Sequence, residues 1–145
     1  MTRRMTPAWV KDAVVGATLL TAEKDEAWWS FTFSGDTGIG TDSFWRVRAD
    51  GGILVTSEDD GHKFGLPEPM DAAARALSRL RGRVADVEVS SETADLLVRF
   101  EDGATLEVFN TSCGYESWHL RSAGMQMIGL GGGDVAIVRI DGTSP

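Results

Sequence analysis

The chain has 145 residues, of which 42% are hydrophobic and 25% are charged, and its formal net charge is −8 at pH 7. These values are typical of one folded domain, so we expect a single unit over residues 1–145 without long disordered segments. The negative charge opposes binding to nucleic acids or anionic membranes, since both require a basic surface. The simpler interpretation of the scattered acidic residues is a solubilising surface, and the alternative is a surface that attracts a basic protein partner.

The single cysteine, Cys113, allows no disulfide within the chain and is typical of a protein of the reducing cytoplasm. Near the N-terminus, Lys11 and Asp12 interrupt a short apolar run, which is too broken for a signal peptide and too short to cross a bilayer. The sequence contains no CxxC pair and no cluster of cysteine and histidine typical of structural zinc. We therefore expect a cytoplasmic protein without a metal or another cofactor.

Two segments carry the signals of a helix. The first begins at Thr6, a residue type that caps helices, and ends at Gly16, which can adopt a left-handed conformation. The second begins at Pro69 and has Asp71 near its positive start. Its apolar stripe consists of Ala73, Ala76, Leu77 and Leu80.

Alternating hydrophobicity, which is typical of half-buried strands, follows each of these helices. The apolar positions are Trp29, Phe31 and Phe33 in the first half and Leu96, Val98 and Phe100 in the second. Each run ends in a turn sequence, SGD or EDG, and another strand-like segment follows. Both runs are therefore predicted to form hairpins.

Similar segments recur in the two halves of the chain. WRVRADG, from Trp45 to Gly51, and WHLRSAG, from Trp118 to Gly124, share the pattern Trp-x-(Val/Leu)-Arg-x-x-Gly. We interpret the chain as a tandem duplication of a helix plus about four antiparallel strands, with pseudo-repeats at about 6–66 and 68–140. The predicted fold class is α+β, a mainly antiparallel sheet or partly closed barrel with two helices. Both tryptophans are then expected to face inward.

The segment 56–69, TSEDDGHKFGLPEP, joins the first set of strands to the second helix. Carboxylates with a histidine can contact a partner, bind a divalent ion or act as general acid and base. The spacing matches neither an EF-hand loop nor HExxH, and the glycines and prolines suit a connecting loop. A solvated loop is the simpler interpretation. The candidate binding residues are Glu58, Asp59, Asp60 and His62.

The segment 110–119, NTSCGYESWH, holds a second group of polar residues, with an insert of about six residues around Cys113. Cys113 and His119 could form a thiolate and its base, but spacing alone does not place them in contact. His119 follows Trp118 on the expected strand and therefore points to the opposite, outer face. A polar hairpin loop is the simpler interpretation. The candidate binding residues are Tyr115, Glu116 and His119.

The glycine-rich segment 129–134 has a structural interpretation. It precedes a strand-like segment rather than a helix and lacks a P-loop lysine, so it is interpreted as a tight turn or bulge.

Trp28 points away from Trp29 on their strand and is expected to pack beneath a helix. The alternative is an exposed Trp28 that anchors an interface.

With the segments FGLPEPMDAA and SCGYESWHL, the chain resembles a group of small bacterial proteins of unknown function that carry an FGLP loop before a helix and a GYE-x-W segment later. The resemblance implies a cytosolic single domain and supplies no catalytic residue. In size, acidity and lack of a catalytic motif, the chain is also similar to the immunity proteins of bacterial toxin systems.

The sequence therefore favours a non-enzymatic, acidic binding protein that holds a protein partner, for example an immunity-type inhibitor. The alternative is an enzyme or a small-ligand or metal-binding protein with a pocket between the two halves. Asp59, His62, Tyr115, Glu116 and His119 would be the polar groups of that pocket. A homo-oligomer formed through an exposed strand edge is a third possibility.

Overall fold

The computed structural model describes residues 6–140. Within that range the backbone forms eleven β-strands and two short α-helices. The helices are α1 (Ala8–Val14) and α2 (Ala72–Arg79). The strands are β1 (Leu19–Asp25), β2 (Trp28–Phe33), β3 (Thr37–Thr41), β4 (Trp45–Ala49), β5 (Gly52–Thr56), β6 (Val84–Val89), β7 (Leu96–Phe100), β8 (Thr105–Val108), β9 (Trp118–Ser122), β10 (Met125–Gly129) and β11 (Val135–Arg139).

The strands form two antiparallel sheets. The first has six strands in the order β1-β2-β3-β9-β10-β11, and the second has five in the order β5-β4-β8-β7-β6. The fold is therefore mainly β, and the predicted α+β class, with a helix and about four strands per repeat in a single sheet or partly closed barrel, is wrong. Strands such as β1 are largely exposed and show no apolar alternation, so the sequence pattern underestimated the strand content.

Each sheet is assembled from both halves of the chain. In the first sheet β3 pairs with β9, where Ile39 lies opposite Leu120. In the second sheet β4 pairs with β8, where Val47 lies opposite Leu106. All four of these side chains are buried. Since both central pairings join residues far apart in sequence, neither half completes a sheet by itself.

The hydrophobic core lies between the two sheets. The ring of Trp45 in the second sheet makes edge-on contacts with Trp29 and Phe31 of the first, at centroid distances of 5.0 and 5.2 Å. Trp45 and Trp118 are both fully buried, as predicted. Full burial of a large apolar side chain contributes roughly 1.5–3 kcal/mol. The alternating faces of β2 and β7 also point into this core, and their buried residues are Trp29, Phe31, Phe33, Leu96, Val98 and Phe100.

The two helices pack against sheet edges. Helix α1 contacts β6, and α2 contacts β1 and β5. The Asp71 carboxylate accepts a hydrogen bond from the Ala74 amide at 3.0 Å and so caps the start of α2. Thr6 does not cap α1, because its hydroxyl accepts a hydrogen bond from the Val89 amide instead. The buried residues at the inner side of α2 are Ala72, Ala73, Ala76 and Leu80.

Candidate functional site

Two of the three consecutive acidic residues in loop 56–69 stabilise the loop itself. Asp59 accepts a hydrogen bond from the Thr56 amide at 2.9 Å and completes a capping box. One oxygen of Asp60 accepts from the Ala72 amide at the start of α2, at 3.0 Å, and the other lies 3.2 Å from the Lys24 ammonium. The Glu58 carboxylate makes no hydrogen bond or ion pair with any residue between 6 and 140.

The same loop presents two exposed apolar side chains, Phe64 and Leu66, which we name the apolar tip. Backbone hydrogen bonds of 2.8 Å from the Gly61 amide to Met70 and from the Met70 amide to His62 close the loop below the tip. The His62 ring stacks on Phe64 at 5.5 Å. The exposed fractions of Phe64 and Leu66 are 64% and 47%. Sequence reasoning did not select these two residues, although apolar side chains enclosed by glycine and proline were the available signal.

Loop 110–117 is built as a hydrogen-bonded turn. The Ser112 hydroxyl accepts from the amides of Gly114 and Tyr115 at 3.0 and 2.9 Å. The Asn110 side-chain amide donates to the carbonyl of Leu130 at 2.6 Å. Tyr115 is 81% exposed, and Cys113 is exposed as well. These contacts agree with the interpretation of a polar loop.

A trough runs along the outer face of the six-stranded sheet. Its floor is strand β3, because Gly38 and Gly40 leave that strand without outward side chains. β2 and β9 form its two walls, and the open volume is about 260 Å³. We name this feature the glycine trough. The outward side chains that line it are Trp28, Ser30, Thr32, Asp36, His119 and Arg121.

Trp28 forms one end of the glycine trough. Its indole lies over Gly40, since a Cβ added there would come within 2.9 Å of the ring atoms Cε2 and Nε1. The ring also meets His119 edge-on at 5.6 Å and remains 37% exposed. The expectation that a helix covers Trp28 is therefore wrong: α1 packs on β6 and α2 packs on β1 and β5, while a glycine provides the contact surface.

His119 points to the outer face, as predicted, and is held by neighbours on its own sheet. Its Nδ1 accepts a hydrogen bond of 2.5 Å from the Gln126 amide, and its Nε2 lies 3.8 Å from the Glu116 carboxylate. Among the ring contacts of His119 within residues 6–140, none involves Cys113. The structure thus gives no support for a thiolate–histidine pair.

The predicted binding residues divide between two places. Glu116 and His119 lie together beside the glycine trough, and Tyr115 stands in the neighbouring loop. Asp60 lines a different depression, between β1 and α2. Of the five residues proposed for one shared pocket, His119 lines the glycine trough, and Tyr115 and Glu116 line a separate depression beside Asp42 and Ser43. Asp36 and Arg121 were not predicted as site residues, because their proximity to Trp28 depends on the pairing of β3 with β9.

An apolar edge strand is a further exposed feature. β11 ends the six-stranded sheet, and Ile137, Val138 and Ile140 are exposed on and just beyond it. Unpaired strand edges can add a strand from another chain. The homo-oligomer considered from the sequence would form by strand pairing at this edge.

Comparison with known proteins found no match, either among protein-family models, among curated proteins or among solved structures. Within residues 6–140 no helix is long and apolar enough to span a membrane. In the same part of the chain, no three side chains of His, Cys, Asp or Glu lie together in a way that could hold a metal ion. The function must therefore be inferred from the geometry of the surface.

Proposed function

We propose that the protein binds a basic protein partner through loop 56–69 and catalyses no reaction itself. The observation that carries this proposal is the apolar tip, in which Phe64 and Leu66 stand exposed on one loop. Single exposed apolar residues are common on protein surfaces. A large aromatic and an aliphatic side chain on one projecting loop, surrounded by polar residues, is instead the usual composition of an interface anchor.

The loop is also ordered before any partner arrives. The paired backbone hydrogen bonds between Gly61, His62 and Met70 fix its two ends. Phe64 has a φ angle of +48°, a left-handed conformation that is unfavourable for a bulky residue. Strained residues of this kind occur preferentially where a side chain has to be presented for function. Because the loop is already fixed, binding would cost little ordering entropy.

The net charge of loop 56–69 favours a basic partner, because its four carboxylates outnumber its one lysine, Lys63. Glu58 and Glu68 lie on the same loop, and the Lys24–Asp60 ion pair connects that loop to β1, next to Asp25. Opposite charges accelerate association and select against acidic proteins. An immunity-type inhibitor, which covers the basic substrate-binding surface of a toxin, is the specific form of this proposal.

The test is an affinity capture from the lysate of the organism that encodes the protein, with a matched pair of variants. Phe64→Ser combined with Leu66→Ser removes the apolar tip. The control, Ile53→Ser, removes an equally exposed apolar residue from β5. We expect the wild type and the control to retain the same basic polypeptide and the tip variant to lose it. Retention by all three proteins, or no basic polypeptide retained by the wild type, would contradict the proposal.

A further inference from the structure

We propose that the glycine trough binds an acidic saccharide unit, meaning a sugar ring that carries a carboxylate. The trough follows the seam where β3 of the first half pairs with β9 of the second. It is formed by residues outside loop 56–69, so this inference goes beyond the protein-binding function proposed above. The argument rests on the shape of the floor, one aromatic side chain, a row of hydroxyl groups and one arginine.

The shape of the trough suits a single ring. At Gly38 the floor is open, because a Cβ added there would meet only the carbonyl oxygen of Phe31, at 3.7 Å. The volume of about 260 Å³ lies just below the range of roughly 300–1,000 Å³ that is typical of sites for drug-sized ligands. The trough is also open to solvent along its length. A bound ring could therefore be one unit of a longer saccharide.

Trp28 supplies a fixed apolar surface at one end of the trough. Gly40 supports one side of its indole, and the edge-on contact with His119 restricts the ring further. His119 is itself held by its hydrogen bond to Gln126. An aromatic ring that is restrained by such contacts can contact the C–H groups of a sugar ring with a smaller loss of side-chain entropy.

Polar groups line the rest of the trough. The hydroxyls of Ser30 and Thr32 make no hydrogen bond to another residue in the part of the chain that the structure describes. Asp36 stands exposed at the β2–β3 turn, held there with a φ angle of +59°. Hydroxyls donate and accept hydrogen bonds, and a carboxylate accepts them. This combination matches the several hydroxyl groups of a sugar.

Arg121 gives the trough a preference for an acidic sugar. It lies opposite Gly38 in the β3–β9 register, is exposed and forms no ion pair with residues 6–140. An arginine on the wall of a cleft, without an ion pair to residues 6–140, can attract an anion even in a chain of net charge −8. The planar guanidinium binds a carboxylate through two parallel hydrogen bonds. The ligand carboxylate would lie at Arg121 and its hydroxyls would extend towards Asp36.

The test is a calorimetric titration of the whole chain with D-glucuronate and D-galacturonate, with methyl glucoside and benzoate as comparison ligands. We expect at least one uronate to bind with a Kd of about 1 mM, and methyl glucoside to bind at least tenfold more weakly. Arg121→Gln should weaken uronate binding by about tenfold or more, because it removes a charge-assisted pair. Arg99→Gln, which removes an exposed arginine from the outer face of the other sheet, should leave binding unchanged.

A second pair of variants locates the site. Gly38→Val places a side chain in the trough at a position where a Cβ fits without a clash, whereas Gly52→Val adds the same side chain to an open position on β5. Valine favours strands, so both variants should fold, which circular dichroism verifies. We expect only Gly38→Val to abolish binding. Unchanged binding in Gly38→Val, stronger binding of benzoate than of both uronates, or no uronate binding at about 10 mM would overturn the proposal.

Discussion

The indole of Trp28 lies over the backbone of Gly40, at a distance that leaves no space for a side chain on that glycine. Trp28 begins β2, and Gly40 lies near the end of the neighbouring strand β3. The absence of a single Cβ therefore determines where the largest outward side chain of the sheet rests. The same contact forms one end of the glycine trough.

Gly40→Ala should displace Trp28 and destabilise the fold. Insertion of a methyl group into a filled space costs about 1–3 kcal/mol, and less when the neighbouring side chain can swing into solvent. The matched control is Gly38→Ala, where the added Cβ has ordinary contacts. That substitution should be neutral or stabilise by up to about 1 kcal/mol, because glycine is unfavourable within strands. Urea unfolding measures both changes, and equal effects would contradict the observed packing.

Trp118→Phe should be more destabilising than Trp45→Phe, although both side chains are fully buried. The indole nitrogen of Trp118 donates to the carbonyl oxygen of Ala94 at 2.7 Å. The indole nitrogen of Trp45 has no hydrogen-bond partner among the described residues. Loss of the donor leaves a buried carbonyl unsatisfied only in the first case, so we expect a difference of about 1–3 kcal/mol. Comparison of the unfolding free energies tests this, and a larger loss for Trp45→Phe would be inconsistent with it.

Asp60→Ala should lower the stability of the fold, whereas Glu58→Ala should lower only the rate of association with a basic partner. Asp60 holds the start of α2 and Lys24, so its removal should cost about 1–2 kcal/mol, as loss of a helix cap does. The Glu58 carboxylate has no partner within residues 6–140, so its removal should leave the melting temperature unchanged. We expect Glu58→Ala instead to slow binding of a basic partner at low salt. Equal melting temperatures in the two variants would contradict the assigned role of Asp60.

Protonation of Glu107 at low pH should lower the free energy of unfolding. Partial burial raises the pKa of Glu107, but hydrogen bonds from Arg46 and Arg48 at 2.9 and 2.7 Å outweigh burial, and the pKa lies below its usual value. The stability that a lowered pKa provides is fully present above the unfolded-state pKa of about 4.3. It is lost as the pH falls through the lower pKa of the folded state.

Glu107→Gln should therefore flatten the dependence of the unfolding free energy on pH below about pH 5. Arg48→Gln, which removes one of the two donors, should give an intermediate slope. Chemical denaturation at a series of pH values measures the three curves. If the variant and wild-type curves run parallel in that range, the ion pairs do not stabilise the folded state.

Local sequence patterns predicted the buried faces of those strands that alternate, although not every strand of the fold. The alternation in β2, β4, β7 and β9 indicated their buried faces, because each has one side on the core. The distribution of these strands between two sheets could not be predicted in this way. It depends on the pairings β3–β9 and β4–β8, which join distant parts of the chain and leave no local signal.

The candidate sites were only partly predictable, because they too depend on contacts between distant parts of the chain. The sequence identified Asp59 and Asp60 as notable carboxylates, but their roles depend on which backbone amides they reach. The outward position of His119 followed from strand alternation alone. Its neighbours Trp28 and Arg121 could not be assigned to one site, because Trp28 lies on a strand two positions away in the sheet.

The most direct test of the protein-binding proposal is a ¹H–¹⁵N NMR titration of the labelled protein with the basic partner that the capture retains. We predict that the largest amide shifts lie between Gly61 and Met70, with smaller shifts near Lys24. The shifts should disappear in the Phe64→Ser, Leu66→Ser variant. Shifts centred on β11 or on loop 110–117, with residues 61–70 unaffected, would contradict the proposal.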